Sequence, residues 1–187
     1  MSSTRPLSGK RIAFLVANEG VEQVELEQPR AELEAAGATT TLIAPELGKV
    51  QAFHHLDHGD VFAVDLAVGD ATAADFDALV LPGGVANPDA LRTDASAMGF
   101  LRAVAAAGKP VAAICHAPWT LIEADLVRGR QVTSWPSLQT DLRNAGAEWR
   151  DEPVVVDRSG AGVLITSRKP DDLGVFASAI VDAVRGA

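Results

Sequence analysis

A chain of 187 residues with 48% hydrophobic and 22% charged side chains matches the size and composition of one globular domain. Its formal net charge of −9 argues against binding to nucleic acid or to an anionic membrane, since both require clustered basic side chains. The chain has one cysteine, no apolar stretch long enough to cross a bilayer and no secretory signal at its start. We therefore expect a cytoplasmic protein without an internal disulfide.

In the first half of the chain, apolar runs alternate with segments of helical spacing. The continuous apolar run RIAFLVA is typical of a strand buried on both faces, and Gly37 is suited to end a helix. The predicted elements, in order, are a disordered start at Met1–Gly9, a strand at Arg11–Ala17, a polar turn at Asn18–Gly20, a helix from about Glu25 to Ala36, a strand at Thr39–Ala44, and a hairpin at Val50–Phe53 and Asp60–Val64 that joins the sheet.

The second half continues the alternation. The predicted elements are strands at Phe76–Leu81 and Pro110–Cys115, near Val132, and at Val154–Val156 and Gly162–Thr166, with helices at Asp94–Ala107, Pro118–Leu126 and Pro136–Asn144 and from about Pro170. This order of elements predicts an α/β fold over residues 1–187, in which a mainly parallel sheet is covered by helices on both faces.

Cys115 is predicted at a sharp turn between a strand and a helix. In such a nucleophile elbow, small residues are needed two positions before and two after the nucleophile, and Ala113 and Ala117 meet that demand. Pro118 suits the first turn of the following helix, whose N–H groups should lower the thiol pKa and favour the thiolate. A lone cysteine is more often inert packing in a core. The elbow favours the interpretation of Cys115 as a nucleophile.

Groups that stabilise negative charge are expected beside this turn. The strand before Pro82-Gly83-Gly84 should end next to Cys115, because functional groups collect at the carboxyl ends of parallel strands. The backbone N–H groups of Gly84 and His116 are therefore predicted to form an oxyanion hole.

The chain resembles the ThiJ/PfpI superfamily, specifically its PfpI-like branch of intracellular cysteine peptidases or deglycases. The segments that carry the resemblance are ANEGVEQVEL (Ala17–Leu26), FDALVLPGG (Phe76–Gly84), GKPVAAICHAPWTLIEAD (Gly108–Asp125), LVRGRQVTSWPSLQTDLRNAG (Leu126–Gly146) and VLITSRKPDDL (Val163–Leu173). The resemblance implies a flavodoxin-like three-layer sandwich with Cys115 as its nucleophile. The elbow of the family usually reads C-H-G-P, and here Ala117 replaces the glycine.

Further site residues follow from the resemblance alone. It implies that a glutamate of the first loop lies against the sulfur, and Glu22 matches that position, with Glu25 as the alternative because the loop carries one extra residue. It also implies that an acid from a neighbouring subunit can orient His116. Asp89 aligns with that acid, so we expect a homo-oligomer.

The activated thiol is compatible with three functions. We rank first a glyoxalase or deglycase acting without a cofactor on small carbonyls such as methylglyoxal, or on glycated thiols and amines, in a stress-response protein. The second is a redox-sensing or chaperone-like stress protein that works through oxidation of Cys115. The third is a peptidase or amidase that uses Cys115, His116 and Asp89.

Two further groups of side chains allow a structural as well as a functional interpretation. Trp119 and Trp135 could line the substrate pocket, and packing in the core is the equal alternative. His54, His55 and His58 lie on the predicted hairpin without the cysteine or carboxylate spacing of zinc sites, so we predict no metal site there.

Overall fold

The computed structural model describes residues 5–187. Its strands are β1 (Arg11–Leu15), β2 (Glu19–Glu22), β3 (Thr39–Ala44), β4 (Lys49–His54), β5 (Asp57–Ala63), β6 (Leu66–Ala67), β7 (Ala78–Leu81), β8 (Val111–Ile114), β9 (Gln131–Val132), β10 (Glu148–Trp149), β11 (Val154–Asp157) and β12 (Leu164–Ser167). Its α-helices are α1 (Gln23–Ala35), α2 (Ala86–Leu91), α3 (Ala95–Ala106), α4 (Pro118–Glu123), α5 (Gln139–Asn144) and α6 (Leu173–Arg185). Short 3-10 turns precede α5 at Pro136–Leu138 and α6 at Pro170–Asp172.

A central sheet of seven strands forms the middle layer, in the order β11-β12-β8-β7-β1-β3-β6. All neighbouring strands are parallel except β11, which runs antiparallel to β12 at one edge. The first strands of the chain therefore lie near the centre of the sheet, and β7 and β8 end side by side. This arrangement confirms the predicted α/β sandwich with a mainly parallel sheet.

Alternating residues of the buried strands supply two separate hydrophobic cores, one on each face of the sheet. In β1, Ile12 and Phe14 point into the core that includes the buried side chains of α1 and α6. Ala13 and Leu15 point into the other core, together with α3, α4 and α5. Because both faces are covered by helices, the strand is apolar along its whole length, as the sequence predicted.

The predicted hairpin is present, but its position in the fold differs from the prediction. Strands β4 and β5 pair with each other and with β2 in a separate sheet of three strands, rather than joining the central sheet. Strand β2 replaces the polar turn that was predicted at Asn18–Gly20. Its pairing with β4 depends on residues distant in sequence, so local composition gave no signal for it.

The predicted disorder of Met1–Gly9 is wrong for residues 5–9, and residues 1–4 lie outside the described part. Leu7 is fully buried in the core that contains α1 and α6, and its N–H donates to the carbonyl of Ala36. One apolar side chain thus anchors the segment before β1. Within residues 5–187, no helix is long and apolar enough to span a membrane.

Candidate active site

Cys115 occupies the turn between β8 and α4. Its backbone has a φ of 64°, in the left-handed region that residues with a side chain rarely adopt. The Cys115 N–H donates to the Ser167 carbonyl of β12, and the Cys115 carbonyl accepts from Trp135 N–H. The strained turn is therefore held from both sides, which gives the thiol a fixed direction at the carboxyl end of the sheet, as expected for a nucleophile elbow.

His116 lies directly against the thiol. Its Nδ1 is 3.1 Å from Cys115 Sγ, and its Nε2 is 3.4 Å from the hydroxyl of Ser137. The imidazole stacks on the ring of Trp135 at a centroid distance of 5.7 Å and also contacts Trp119 at 5.3 Å. Burial lowers the His116 pKa to about 4, so the ring is neutral at neutral pH and can accept a proton from the thiol.

Glu25 is the carboxyl beside the thiol. It is fully buried on the inward face of α1, and its Oε2 accepts a hydrogen bond of 2.9 Å from the N–H of Gly83. Its Oε1 has no hydrogen-bond partner of ordinary geometry within the described part of the chain. Burial raises the Glu25 pKa to about 8, and interaction with the Cys115 thiol opposes part of that rise. The carboxyl is therefore protonated at neutral pH and can donate a proton.

Glu22 lies farther from the thiol than Glu25, although the resemblance implied Glu22 as the glutamate against the sulfur. Its Oε2 accepts a hydrogen bond of 3.0 Å from the backbone N–H of His55, at the tip of the β4–β5 hairpin. Both glutamates line the same cavity, but Glu25, the alternative from the sequence, is the one that interacts with Cys115. The register between β2 and β4 shifts between Glu19 and Val21, ahead of Glu22.

A cavity of about 260 Å³ opens above the thiol. It is lined by Glu22, Glu25, His55, Leu56, Gly84, Val85, Cys115, His116, Trp135 and Pro170. The lining comes from the end of β2, the start of α1, the β4–β5 hairpin, the turn after β7, the elbow and the turns before α5 and α6. Sequence reasoning missed the hairpin residues His55 and Leu56, because only the pairing of β2 with β4 brings the hairpin to this edge.

The thiol pKa changes in the direction opposite to the one predicted from the elbow. Burial raises the pKa of Cys115 well above its ordinary range, and the neighbouring Glu25 adds to the rise. The N–H groups of Gly84 and His116 act on the sulfur in the opposite sense, but their effect is smaller. Cys115 is thus a protonated thiol at rest, and a neighbouring base must take its proton during the reaction.

The N–H groups of Gly84 and His116 both lower the pKa of the Cys115 thiol, and their role as an oxyanion hole stays a prediction. Gly84 has no room for a side chain. Its φ is 82°, and an added Cβ would lie 2.4 Å from the Gly20 carbonyl oxygen. Gly83 is equally constrained, because an added Cβ would lie 2.6 Å from the Cys115 Cβ. The glycine pair therefore allows the turn after β7 to approach both the elbow and β2.

Of the remaining predicted residues, Trp135 belongs to the cavity wall, and Trp119 and Asp89 do not. Trp135 lines the cavity, whereas Trp119 packs on the far side of His116 and donates from Nε1 to Asp141. Asp89 is exposed on α2, where its carboxylate pairs with Arg92 at 3.3 Å. Within the single chain described here, Asp89 is not among the hydrogen-bond partners of His116.

Comparison with known proteins identifies the family of the chain. The family model described as "DJ-1/PfpI family" matches residues 10–183. Two curated bacterial proteins are each 41% identical over 167 residues: "Putative cysteine protease YraA" of Bacillus subtilis strain 168, with 89% of this chain and 94% of that protein covered, and "Protein/nucleic acid deglycase 2" of Escherichia coli K12, with 89% and 93% covered.

A solved structure gives the same result for the fold. A protein from Anabaena variabilis, with one DJ-1/ThiJ/PfpI-like and one ferritin-like domain, superposes with a TM-score of 0.84 at 36% identity. The match covers 92% of this chain and 47% of that protein, so the chain spans about half of its length. From the matched family model, the identity to the curated relatives and the superposed fold, we conclude that the chain belongs to the DJ-1/PfpI family.

Proposed function

We propose that the protein is a cysteine-dependent deglycase and glyoxalase, which converts reactive α-oxoaldehydes and their adducts on thiols or amines to 2-hydroxy acids. The observation that carries this proposal is a buried thiol with a proton acceptor at 3.1 Å and a protonated carboxyl beside it, all facing one cavity. The relative named as a protein/nucleic acid deglycase supports the assignment. In a cell we expect the enzyme to act in the cytoplasm as a stress-response protein.

The first step forms a bond between sulfur and carbon. With methylglyoxal in the cavity, Cys115 Sγ attacks the aldehyde carbon while its proton passes to Nδ1 of the neutral His116. The carbonyl oxygen gains charge and takes a proton from the Glu25 carboxyl, and the N–H groups of Gly84 and His116 are available to stabilise negative charge. The product is a hemithioacetal on Cys115.

The second step rearranges this adduct without an external oxidant. Glu25, now a carboxylate, removes the proton from the former aldehyde carbon, and a proton returns to the neighbouring carbonyl carbon through an enediol. The result is a thioester of lactate, in which one carbon has been oxidised and its neighbour reduced. Water then hydrolyses the thioester and regenerates the thiol, so methylglyoxal and one water give lactate.

A glycated amine or thiol follows the same route with one additional product. When the thiol displaces the amine from the adduct carbon, the amine leaves with a proton, and the same hemithioacetal remains on Cys115. The adduct and one water thus give lactate and the free amine. Because only a nucleophile and proton carriers take part, the chemistry needs no cofactor.

Peptide hydrolysis is a second candidate, supported by the relative named as a cysteine protease and by the contact between Cys115 and His116. A peptidase triad would need an acid to orient His116. We propose that Asp89 of a neighbouring copy supplies such an acid in a homo-oligomer, since Asp89 is exposed and pairs with Arg92 in its own chain. Carbonyl chemistry ranks first because Glu25 already provides an acid inside the cavity.

The proposal is tested by proton NMR of methylglyoxal incubated with the wild type and with Cys115→Ser. We expect lactate from the wild type and none above the buffer rate from the variant, because the hydroxyl of serine is a much weaker nucleophile. An unfolded variant would imitate this result, so circular dichroism and melting temperature of the two proteins are compared first. A folded wild type that forms no lactate, or a Cys115→Ser variant that forms it at the wild-type rate, would overturn the assignment.

A further inference from the structure

The cavity above Cys115 is lined by acidic side chains and histidines, but by no lysine or arginine within residues 5–187. Among residues 5–187, neither lysine nor arginine lines it, and its titratable groups are Glu22, Glu25, His55, Cys115 and His116. Glu25 is mainly protonated at neutral pH, and His116 is neutral because burial lowers its pKa to about 4. No lysine or arginine of the cavity wall, within the described residues, therefore offsets the charge of Glu22.

Glu22 is held at this position by the backbone. It is the last residue of β2 and pairs with Phe53 of β4, and its carboxylate accepts the His55 N–H at 3.0 Å. His55 can present that N–H because its backbone adopts a left-handed conformation with a φ of 59°. A residue that is only 8% exposed and anchored in this way keeps its negative charge at a fixed place, unlike a mobile surface glutamate.

The charge of Glu22 also acts inside the cavity. Glu22 and Glu25 line the same cavity, and the charge of Glu22 is one of the smaller causes of the raised pKa of Glu25. The remaining wall of the cavity is largely apolar, with Leu56, Val85, Trp135 and Pro170. Apolar walls weaken the screening of a charge by water, so a charged group of a bound substrate would interact with Glu22 more strongly than it would at an open surface.

We propose that Glu22 sets the charge preference of the active site, so that carbonyl substrates bearing a cationic group are favoured and anionic ones are rejected. The inference rests on the proposed carbonyl chemistry and adds a substrate class to it. Adducts on guanidinium or ammonium side chains belong to the favoured class. Oxoaldehydes that carry a carboxylate or a phosphate belong to the rejected class.

A series of para-substituted phenylglyoxals tests the charge preference, because its members share the reacting group and differ in remote charge. The members are the trimethylammonio, unsubstituted and carboxylate compounds, and formation of the corresponding mandelates is followed by proton NMR at about pH 7. For the wild type we expect kcat/KM for the cationic member to exceed that for the anionic member by about tenfold or more, chiefly through KM. The ratio should fall as salt is added, because ions screen the interaction.

Glu22→Gln is the decisive variant, since it removes the charge and keeps the shape. We expect the ratio of cationic to anionic kcat/KM to fall by about tenfold relative to the wild type. Differences in intrinsic reactivity between the compounds cancel in this comparison. Asp70→Asn is the matched control, because it changes the net charge equally at an exposed residue outside the cavity and should leave the ratio unchanged.

The outcomes separate this inference from the proposed function. Turnover of all three compounds with the same ratio in the wild type and in Glu22→Gln overturns the charge preference and leaves the carbonyl chemistry intact. No turnover of any member by the wild type, together with no lactate from methylglyoxal, overturns the proposed function itself.

Discussion

The two segments that meet at the active site, the elbow at Cys115 and the junction of β2 with α1, are built in different ways. The elbow is local: Ala113 and Ala117 allow the turn, Pro118 begins α4, and the thiol direction follows from a single strained residue. At the junction, the two carboxyls occupy different depths because β2 pairs with β4 while α1 packs against the central sheet.

This difference explains why one carboxyl is suited to proton transfer and the other to selection. Glu25 shares the inward face of α1 with Leu26, and burial keeps it protonated at neutral pH. Glu22 lies at the end of a strand and keeps its charge at the cavity wall. Two glutamates separated by less than one helical turn thus have different roles, because different elements hold them at different depths.

Exchange of each glutamate for glutamine is the strongest test of this division. We expect Glu25→Gln to lower kcat for methylglyoxal by about 10²- to 10⁴-fold, the usual contribution of a general acid–base group. Glu22→Gln should lower kcat for the same neutral substrate by less than about tenfold, because it changes the field and not the proton carrier. Steady-state kinetics by proton NMR measures both, and equal losses in the two variants would contradict the division.

Gly83→Ala tests how closely the turn after β7 must approach the elbow. The added Cβ would lie 2.5 Å from Glu25 Oε2 and 2.6 Å from Cys115 Cβ, so the acid and the thiol must move apart. We expect kcat to fall by about 10²-fold, since misplacement of reacting groups by about 1 Å has that effect, and the free energy of unfolding to fall by about 1–3 kcal/mol.

The matched control is Gly99→Ala, on the exposed side of α3, where an added Cβ meets no atom within 4 Å. Because alanine favours a helix over glycine, this variant should be more stable by up to about 1 kcal/mol and keep full activity. Thermal unfolding and methylglyoxal turnover are measured on both. Wild-type kcat in Gly83→Ala would show that the close approach is not needed for turnover.

A further expected effect is on stability alone and depends on pH. The Glu25 pKa is raised to about 8 in the folded protein, so the folded state retains a proton that the unfolded state loses above its ordinary pKa of 4.5. The contribution of Glu25 to stability is therefore fully present below about pH 4.5 and is lost as the pH rises through about 8.

Glu25→Gln removes this loss, because an amide does not ionise. At about pH 8 we expect the melting temperature of the variant to be several degrees above that of the wild type, which corresponds to a free energy of unfolding larger by on the order of a few kcal/mol. Both differences should shrink towards about pH 5. Glu46→Gln, at an exposed glutamate, should show no such trend. A difference in melting temperature that is constant with pH would indicate that Glu25 is not held protonated by burial.

The sequence by itself determined six of the seven strands of the central sheet and the family, and it predicted Cys115 as the nucleophile. These features depend on neighbouring residues: continuous apolar runs specify strands buried on both faces, and the small residues around Cys115 specify the turn. The helical spacing also placed an acid on the apolar face of α1. Glu25 precedes Leu26 there and lies on the same side as Leu33. That pattern could have favoured Glu25 over Glu22.

Only the tertiary structure decided which carboxyl meets the thiol, what forms the cavity wall and in which direction the thiol pKa moves. The pairing of β2 with β4 joins segments far apart in the chain and brings His55 and Leu56 to the cavity. The thiol pKa is set by the balance between burial and two N–H groups, and burial prevails because the hairpin and helices exclude water. The composition of the cavity wall and the direction of the thiol pKa shift therefore depend on non-local packing, which no short stretch of the sequence encodes.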